Sequence, residues 1–146
     1  MIRKFRKSDA GACSKIICED IRKNKHIQEN SKNRIYREST PSQLIKRMKS
    51  FNFLVYQKNR KILGIGGLHG REVRTMYIHP KFQGKGIGSQ ILNEIETMAK
   101  KKKMKKLHLY THAIPSKFYL KNGWKTTKKY KNNKGNTVFY MEKRMK

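Results

Sequence analysis

Six residues past the middle of the chain, Gln83-Gly84-Lys85-Gly86-Ile87-Gly88, have the types and spacing to hold an anion. Glycines at alternate positions let the backbone turn tightly and approach a ligand closely, because no Cβ stands in the way. The segment lies between a stretch ended by Pro80 and an apolar-periodic stretch that starts at Ile87. A helix beginning there would offer unpaired N–H groups and the positive end of its dipole, and Lys85 adds a mobile cation. Two common phosphate motifs do not fit. The dinucleotide fingerprint lacks its last Gly, with Ser89 or Ile91 standing at that distance and no Gly at Gln90 either, and no Gly-Lys-Ser/Thr triplet follows Gly84 as the Walker loop requires. Cys13 and Cys18 are the only cysteines, five apart in one expected helix. They point about 140° apart, which suits neither a disulfide nor a metal. They read as small core residues of a reduced, intracellular chain.

The elements that must position the loop follow from periodicity. Ile2–Phe5 alternates as a first short strand. Ser8 is the expected N-cap of a helix with Ala12, Ile16, Ile17 and Ile21 on its apolar side. Asn24–Asn33 is polar and unpatterned, a mobile stretch or broken helix. Thr40-Pro41-Ser42-Gln43 matches a capping box with Pro at the first helical position, before Leu44, Ile45 and Met48. Phe53–Tyr56 and Ile62–Ile65 then read as strands joined by a turn at 58–61. Glu72–His79 is a third, with Val73, Thr75 and Tyr77 expected on one face and Arg74, Met76 and Ile78 on the other. Ile87, Ile91, Leu92, Ile95, Met98 and Ala99 make the next helix amphipathic. Leu107–Tyr110 is a strand, Pro115–Lys121 a short helix ended by Asn122-Gly123, and Trp124–Tyr130 with Thr137–Lys143 a closing hairpin. The sum is a mixed α/β domain around one central sheet.

Gln83-Gly84-Lys85-Gly86-Ile87-Gly88 resembles the Gln/Arg-x-x-Gly-x-Gly/Ala signature of the GNAT superfamily of acyl-CoA N-acyltransferases. Met76-Tyr77-Ile78-His79-Pro80 is similar to that family's strand-then-Pro lead-in, and Phe118-Tyr119-Leu120-Lys121-Asn122-Gly123-Trp124 to its Phe-Tyr-x-x-x-Gly-Phe ending. The opening Ile2–Ala10 also resembles how such chains begin, so the likeness spans nearly the whole chain. It implies one domain over 1–146: a mostly antiparallel mixed sheet of about six or seven strands and about four helices, with a splayed strand pair that binds the cofactor. It implies acetyl-CoA as co-substrate, its pyrophosphate held by Gly84, Gly86 and Gly88 with Gln83, Lys85, Ile87 and Ser89. The backbone of Met76, Tyr77 and Ile78 would take the pantetheine arm, and the Met76 N–H would face the thioester carbonyl. Tyr119 stands at the general-acid position, and Glu72 is the best match for the base, with a water chain or a simple Arg71 or Arg74 pair as alternatives. His112 stands where many members carry an Asn against the cofactor, and Pro115 replaces a common Ala. His79 is expected in a solvated loop and His108 on the sheet's other face. No metal is expected.

The chain has 146 residues, 37 Lys+Arg against 9 Asp+Glu, and a formal charge of +28. That favours anionic partners, although general enrichment in Lys on solvated faces accounts for it as well. A polyamine or aminoglycoside would be repelled unless Glu19, Asp20, Glu29 and Glu38 converge, which leans the acceptor amine towards one with an anionic part. The rival class is a nucleic-acid or ribosome-associated protein, resting on Lys100–Lys106, Lys125–Lys134 and the rings of Tyr119, Trp124, Tyr130 and Tyr140. It ranks behind the enzyme, with an acetyltransferase acting on a protein substrate there as a blend. No apolar run approaches the roughly 20 residues of a membrane span. The start Met1–Ala10 does not read as a signal peptide, so the expected compartment is the cytoplasm. A homodimer is compatible with the family, but no residue marks an interface.

Overall fold

Alternating apolar residues and short polar turns build most of the sheet. In the computed structural model, which describes Met1–Lys146 throughout, the strands are β1 (Ile2–Lys4), β2 (Asn52–Lys58), β3 (Lys61–His69), β4 (Glu72–Ile78), β5 (Lys106–Thr111), β6 (Lys125–Lys131) and β7 (Thr137–Arg144). All seven join one sheet in the order β1-β2-β3-β4-β5-β7-β6. Neighbours run antiparallel except β4 and β5, which run parallel. Five α-helices flank the sheet: α1 (Ala10–Lys23), α2 (Glu29–Glu38), α3 (Pro41–Arg47), α4 (Ile87–Lys101) and α5 (Ala113–Lys121). Asn59 and Arg60 both take positive φ, 51° and 65°, and so close the β2–β3 hairpin as a two-residue turn whose twist matches the strands.

Several local expectations need correction. Ser8 does not cap α1. Asp9 takes the N-cap, and its carboxylate accepts from the Arg6 N–H at 2.7 Å and from both Arg3 terminal nitrogens at 2.8 and 2.9 Å. Ile16, Ile17 and Ile21 of α1 are buried as expected, with Ala10 and Cys13 beside them, whereas Ala12 is exposed. The polar stretch 24–33 is broken as expected at Asn24, but from Glu29 it folds into α2. This helix buries no residue fully and is held by half-buried Ile35 and Tyr36. The Thr40 hydroxyl caps α3 as expected, accepting from the Gln43 N–H at 3.3 Å.

Helices cover the two faces of the sheet unequally. On one face α1–α3 bury Cys13, Ile17, Leu44, Phe53, Val55 and Ile65 over β1–β4. On the other, α4 and α5 bury Leu92, Ile95, Leu107, Leu109, Trp124 and Met141 along the sheet's length. Each such side chain contributes roughly 1.5–3 kcal/mol relative to an exposed position. Glycines in β3 bring α4 close: a Cβ on Gly66 would stand 2.6 Å from Ile91 Cγ2 and from Met76 Sδ. Those glycines lower strand propensity and so mask the continuation of β3, which runs past the expected Ile62–Ile65 to His69.

The simple alternation expected in β4 fails at one residue. Thr75 has φ 62°, and the pairing jumps from Ile65↔Tyr77 to Gly67↔Arg74, leaving Thr75 as the extra residue of a bulge. An extra residue inverts the phase of everything beyond it. Val73, Met76 and Ile78 therefore share the α4 face, and Tyr77 turns to the α1 face, opposite to Val73.

Candidate active site

The end of β4 is where the sheet opens. Glu72↔His108 is the single residue pair joining β4 to β5, reinforced by the His108 N–H donating to Arg71 O at 3.0 Å. Beyond it the two parallel strands part, and the β5-facing edge of β4 has no strand partner. The His79 N–H donates to Leu63 O at 2.8 Å, towards β3. By the two-residue alternation, the N–H groups of Ile78 and Met76 face the opening instead. The Ile78 carbonyl is already engaged: it accepts from Gln83 Nε2 at 3.1 Å.

At the mouth of this opening lies the glycine loop. Gly84 and Gly86 have φ 78° and 85°, left-handed values that a side chain resists, and Gly86 is the N-cap of α4. The first intrahelical donor is Gln90, to Gly86 O at 3.1 Å. The N–H groups from Gly84 to Ser89 therefore donate to nothing within the chain, and they lie at the positive end of a 15-residue helix. A nest of this kind fits a polyphosphate. Lys85 is exposed, its ammonium 5.4 Å from the Phe82 ring centroid. Gly88 serves packing, since a Cβ there would stand 3.2 Å from the Phe118 ring.

That contact brings α5 against the loop. Tyr119, the next residue, is buried among Phe118 and Trp124, with ring centroids 5.0 and 6.0 Å away. Burial pushes its phenol pKa well up, and the nearby Tyr77 adds to the shift. The group therefore keeps its proton throughout the neutral range. Its hydroxyl makes no hydrogen bond within the chain, yet it is not a sealed, unpartnered atom. It is free to meet a ligand. Tyr77, on the α1 face, is pushed up to about 12 by burial and next by the Asp20 carboxylate.

Other expected site residues are placed differently. The exposed Gln83 side chain donates to Asp20 Oδ1 at 2.7 Å as well as to Ile78 O, and so ties α1 to the lead-in of the loop. Asp20 was outside the expected site. Its pKa is raised by burial, and the Gln83 hydrogen bond opposes the rise. A surface depression lined by Asp20, Asn24, His26, Pro80 and Gln83 borders this tie. Another is lined by Lys7, Ile45 and Lys49 and includes none of the expected site residues. Glu72 sits at the start of β4, 3.7 Å from Arg74 Nε, and four residues of strand (about 13 Å) from Met76. His112 is the N-cap of α5, with Nδ1 3.2 Å from Thr137 O. His79 Nδ1 accepts from the Lys81 N–H at 3.1 Å, which gives it a turn-capping position. Of the acids weighed for a cationic acceptor, Asp20 and Glu38 both act on Tyr77, but Arg34 and Arg47 act beside them. Cys13 is buried with its thiol pushed up to about 12, an inert core residue.

The family model for the "Acetyltransferase (GNAT) domain" matches residues 18–145. The chain belongs to the GNAT acetyltransferase family. Its fold is similar to a GCN5-related N-acetyltransferase from Rhodopseudomonas palustris, with TM-score 0.87 and 16% identity over 99% of this chain and 94% of that one. It is similar also to PaiA N-acetyltransferase from Thermoplasma acidophilum, solved with coenzyme A, at TM-score 0.83 and 24% identity over 99% and 98% of the two chains. A ribosomal-protein-alanine N-acetyltransferase from Brucella melitensis gives TM-score 0.79 and 17% identity over 99% of each chain. No curated protein matches the sequence. At these identities the structures establish the GNAT fold, and no helix of this chain is long and apolar enough to cross a membrane.

Proposed function

We propose that this chain moves an acetyl group from acetyl-CoA to a primary amine by direct attack in a ternary complex. The observation that carries the reading is the run of undonated N–H groups from Gly84 to Ser89 at the mouth of the β4/β5 opening. Backbone donors there, with Lys85, bind the pyrophosphate, and the Ile78 N–H pairs the pantetheine arm along the free edge of β4. The co-substrate supplies the activated acyl group. The Met76 N–H, turned to the opening beyond the Thr75 bulge, stabilises negative charge building on the acyl oxygen; one such donor is worth about 2.7–4 kcal/mol elsewhere.

Tyr119 holds the proton that the departing thiolate takes, and its raised pKa keeps that proton in place until it is needed. Glu72 is too far along β4 for direct contact with an amine beside Met76, so it serves as base through intervening water. Arg34 and Arg47 near Tyr77 suit an acceptor with an anionic part. We place the protein in the cytoplasm, in keeping with its two free cysteines.

Thermal unfolding at about 0.15 M salt tests the cofactor site. Acetyl-CoA near 100 times its Kd should add about 2.7 kcal/mol, a rise of roughly 5–10 °C at this size. ATP at equal concentration should add little. Equal shifts would mean a loop that takes any polyphosphate, and the enzyme reading would fall. In an acetyl-transfer assay across amine acceptors, Tyr119→Phe should lower kcat about 100-fold or more while the acetyl-CoA thermal shift survives. Unchanged kcat would remove Tyr119 from the chemistry.

A further inference from the structure

The α1–α3 layer stops at β4, so the same face of β5, β7 and β6 is bare. Alternation puts His108 and Tyr110 of β5, Tyr140 and Glu142 of β7, and Lys128 and Tyr130 of β6 on it, because their partners in register share a face. Three of the rings form a cluster, with centroids 5.1 Å apart for Tyr110–Tyr140, 5.7 Å for His108–Tyr140 and 6.0 Å for His108–Tyr110. Tyr110 is 50% exposed and Tyr130 46%, an unusual outlay of aromatic surface on a face that no helix covers. Lysines surround it. Lys128 Nζ lies 5.9 Å from the Tyr140 centroid, Lys106 pairs with Glu142 at 2.8 Å, and Lys125 and Arg144 project from the same side of their strands.

We infer that this open half-sheet binds a single-stranded polynucleotide, with bases stacking on Tyr110, Tyr140 and Tyr130 and phosphates meeting Lys106, Lys125, Lys128 and Arg144. The combination of a basic field and exposed rings on one surface is what single-strand binding requires. Charge separates this occupant from the others. A cationic ligand would have to displace Lys128 from Tyr140 and Lys106 from Glu142, the one carboxylate in the middle of the patch. A second copy of the chain would bring the same excess of cations to its own mirror face. Tyr119 and Trp124 contribute nothing, for both are buried on the opposite side. The patch shares no residue with the glycine loop and meets the acetyl-transfer site only at its border, where His108 is the register partner of Glu72.

The test is fluorescence anisotropy of the full chain with a labelled 12-nucleotide oligouridine, beside a duplex of equal length, heparin, and vesicles of anionic lipid. Binding should be tightest to the single strand, and log K should fall with log salt at about −0.7 per phosphate neutralised. Tyr110→Ala and Tyr140→Ala should each weaken it about 5- to 100-fold, and Tyr110→Phe should restore it. Tyr110→Ala should leave the unfolding temperature and the acetyl-CoA shift unchanged, which separates a lost surface from a lost fold. Equal affinity for duplex or heparin with no effect of Tyr110→Ala would overturn the inference in favour of plain charge. Tighter binding to the vesicles, or a dimer in sedimentation that Tyr110→Ala dissolves, would overturn it in favour of those occupants.

Discussion

The two halves of the sheet are made differently. Strands β1–β4 are covered on both faces, and β3 reads Leu63, Ile65 and Leu68 buried with glycines between them. Strands β5, β7 and β6 are covered on one face only, and β6 (KTTKKYK) buries no residue at all. One half is held by packing, the other by a single apolar layer plus polar ties. The strongest tie is Glu96 of α4, which is buried and accepts from Trp124 Nε1 at 3.2 Å and Lys143 Nζ at 2.8 Å. Lys143 also donates to Asn122 O at 2.8 Å, and so one cation locks α4, β7 and the turn after α5 together. A candidate catalytic cleft lies on the seam, bounded on one side by each kind of construction.

Substitutions can break that contrast, and the largest effect belongs to the doubly covered half. Gly66→Leu should cost about 3 kcal/mol, because even its Cβ meets Ile91 and Met76 at 2.6 Å; thermal unfolding should show a fall of roughly 6–12 °C. A fall of only a degree or two would mean that α4 can lift from β3, and that packing there is not tight. Next comes the polar tie. Lys143→Met strands the buried Glu96 carboxylate with Trp124 alone and should cost about 2 kcal/mol, less than a fully buried pair because Lys143 retains solvent contact.

A smaller effect distinguishes the halves by pH. The Asp9 carboxyl is held below the usual range by its hydrogen bonds from Arg3, aided by the Arg6 N–H. Its stabilisation is present above the unfolded value near 3.9 and is lost as pH falls through and below it. Glu142, lowered by Lys106, follows the same sign, but its side chain is 20% exposed and its partner Lys106 52%, against 6% for Asp9, so water screens the pair more. Unfolding temperatures between pH 6 and pH 3 should therefore fall less steeply in Asp9→Asn than in the parent. Glu142→Gln should leave that slope nearly unchanged, the more so at 0.5 M salt, where exposed pairs are screened. Equal responses would show that Lys106–Glu142 is shielded and the bare face is not bare.

The order of elements and the glycine loop were legible because they depend on local signals: a capping box at Thr40, a Pro at residue 80, glycines before an amphipathic run. The family resemblance rested on the glycines and Pro80 among these, with Phe118–Trp124, and the matched family model bears it out. What could not be read was set by neighbours distant in sequence. Nothing local marks Thr75 as left-handed; the bulge is imposed by pairing with Gly67 and Ile65, and it reversed the facing assigned to half of β4. The role of Gln83 was hidden for a like reason, since its partner Asp20 lies on a helix 63 residues earlier. Ser8 lost the cap to Asp9 because Arg3 and the Arg6 N–H reach that carboxylate in three dimensions. The second helix escaped notice because Glu29–Glu38 has too little apolar surface to announce itself.

The lone Glu72↔His108 bridge between β4 and β5 also has a bearing on time. A sheet zipped along its length opens as one unit, whereas a sheet joined at one rung has a place to part. The amides of β4 beyond Val73 that face the split have no strand to leave before they exchange with water, while those of β2 and β3 must wait for cooperative opening. Deuterium would therefore enter the sheet along a line through its middle as well as at its outer edges. The two halves would then exchange on separate clocks, joined chiefly by the side chains under α4 that span them.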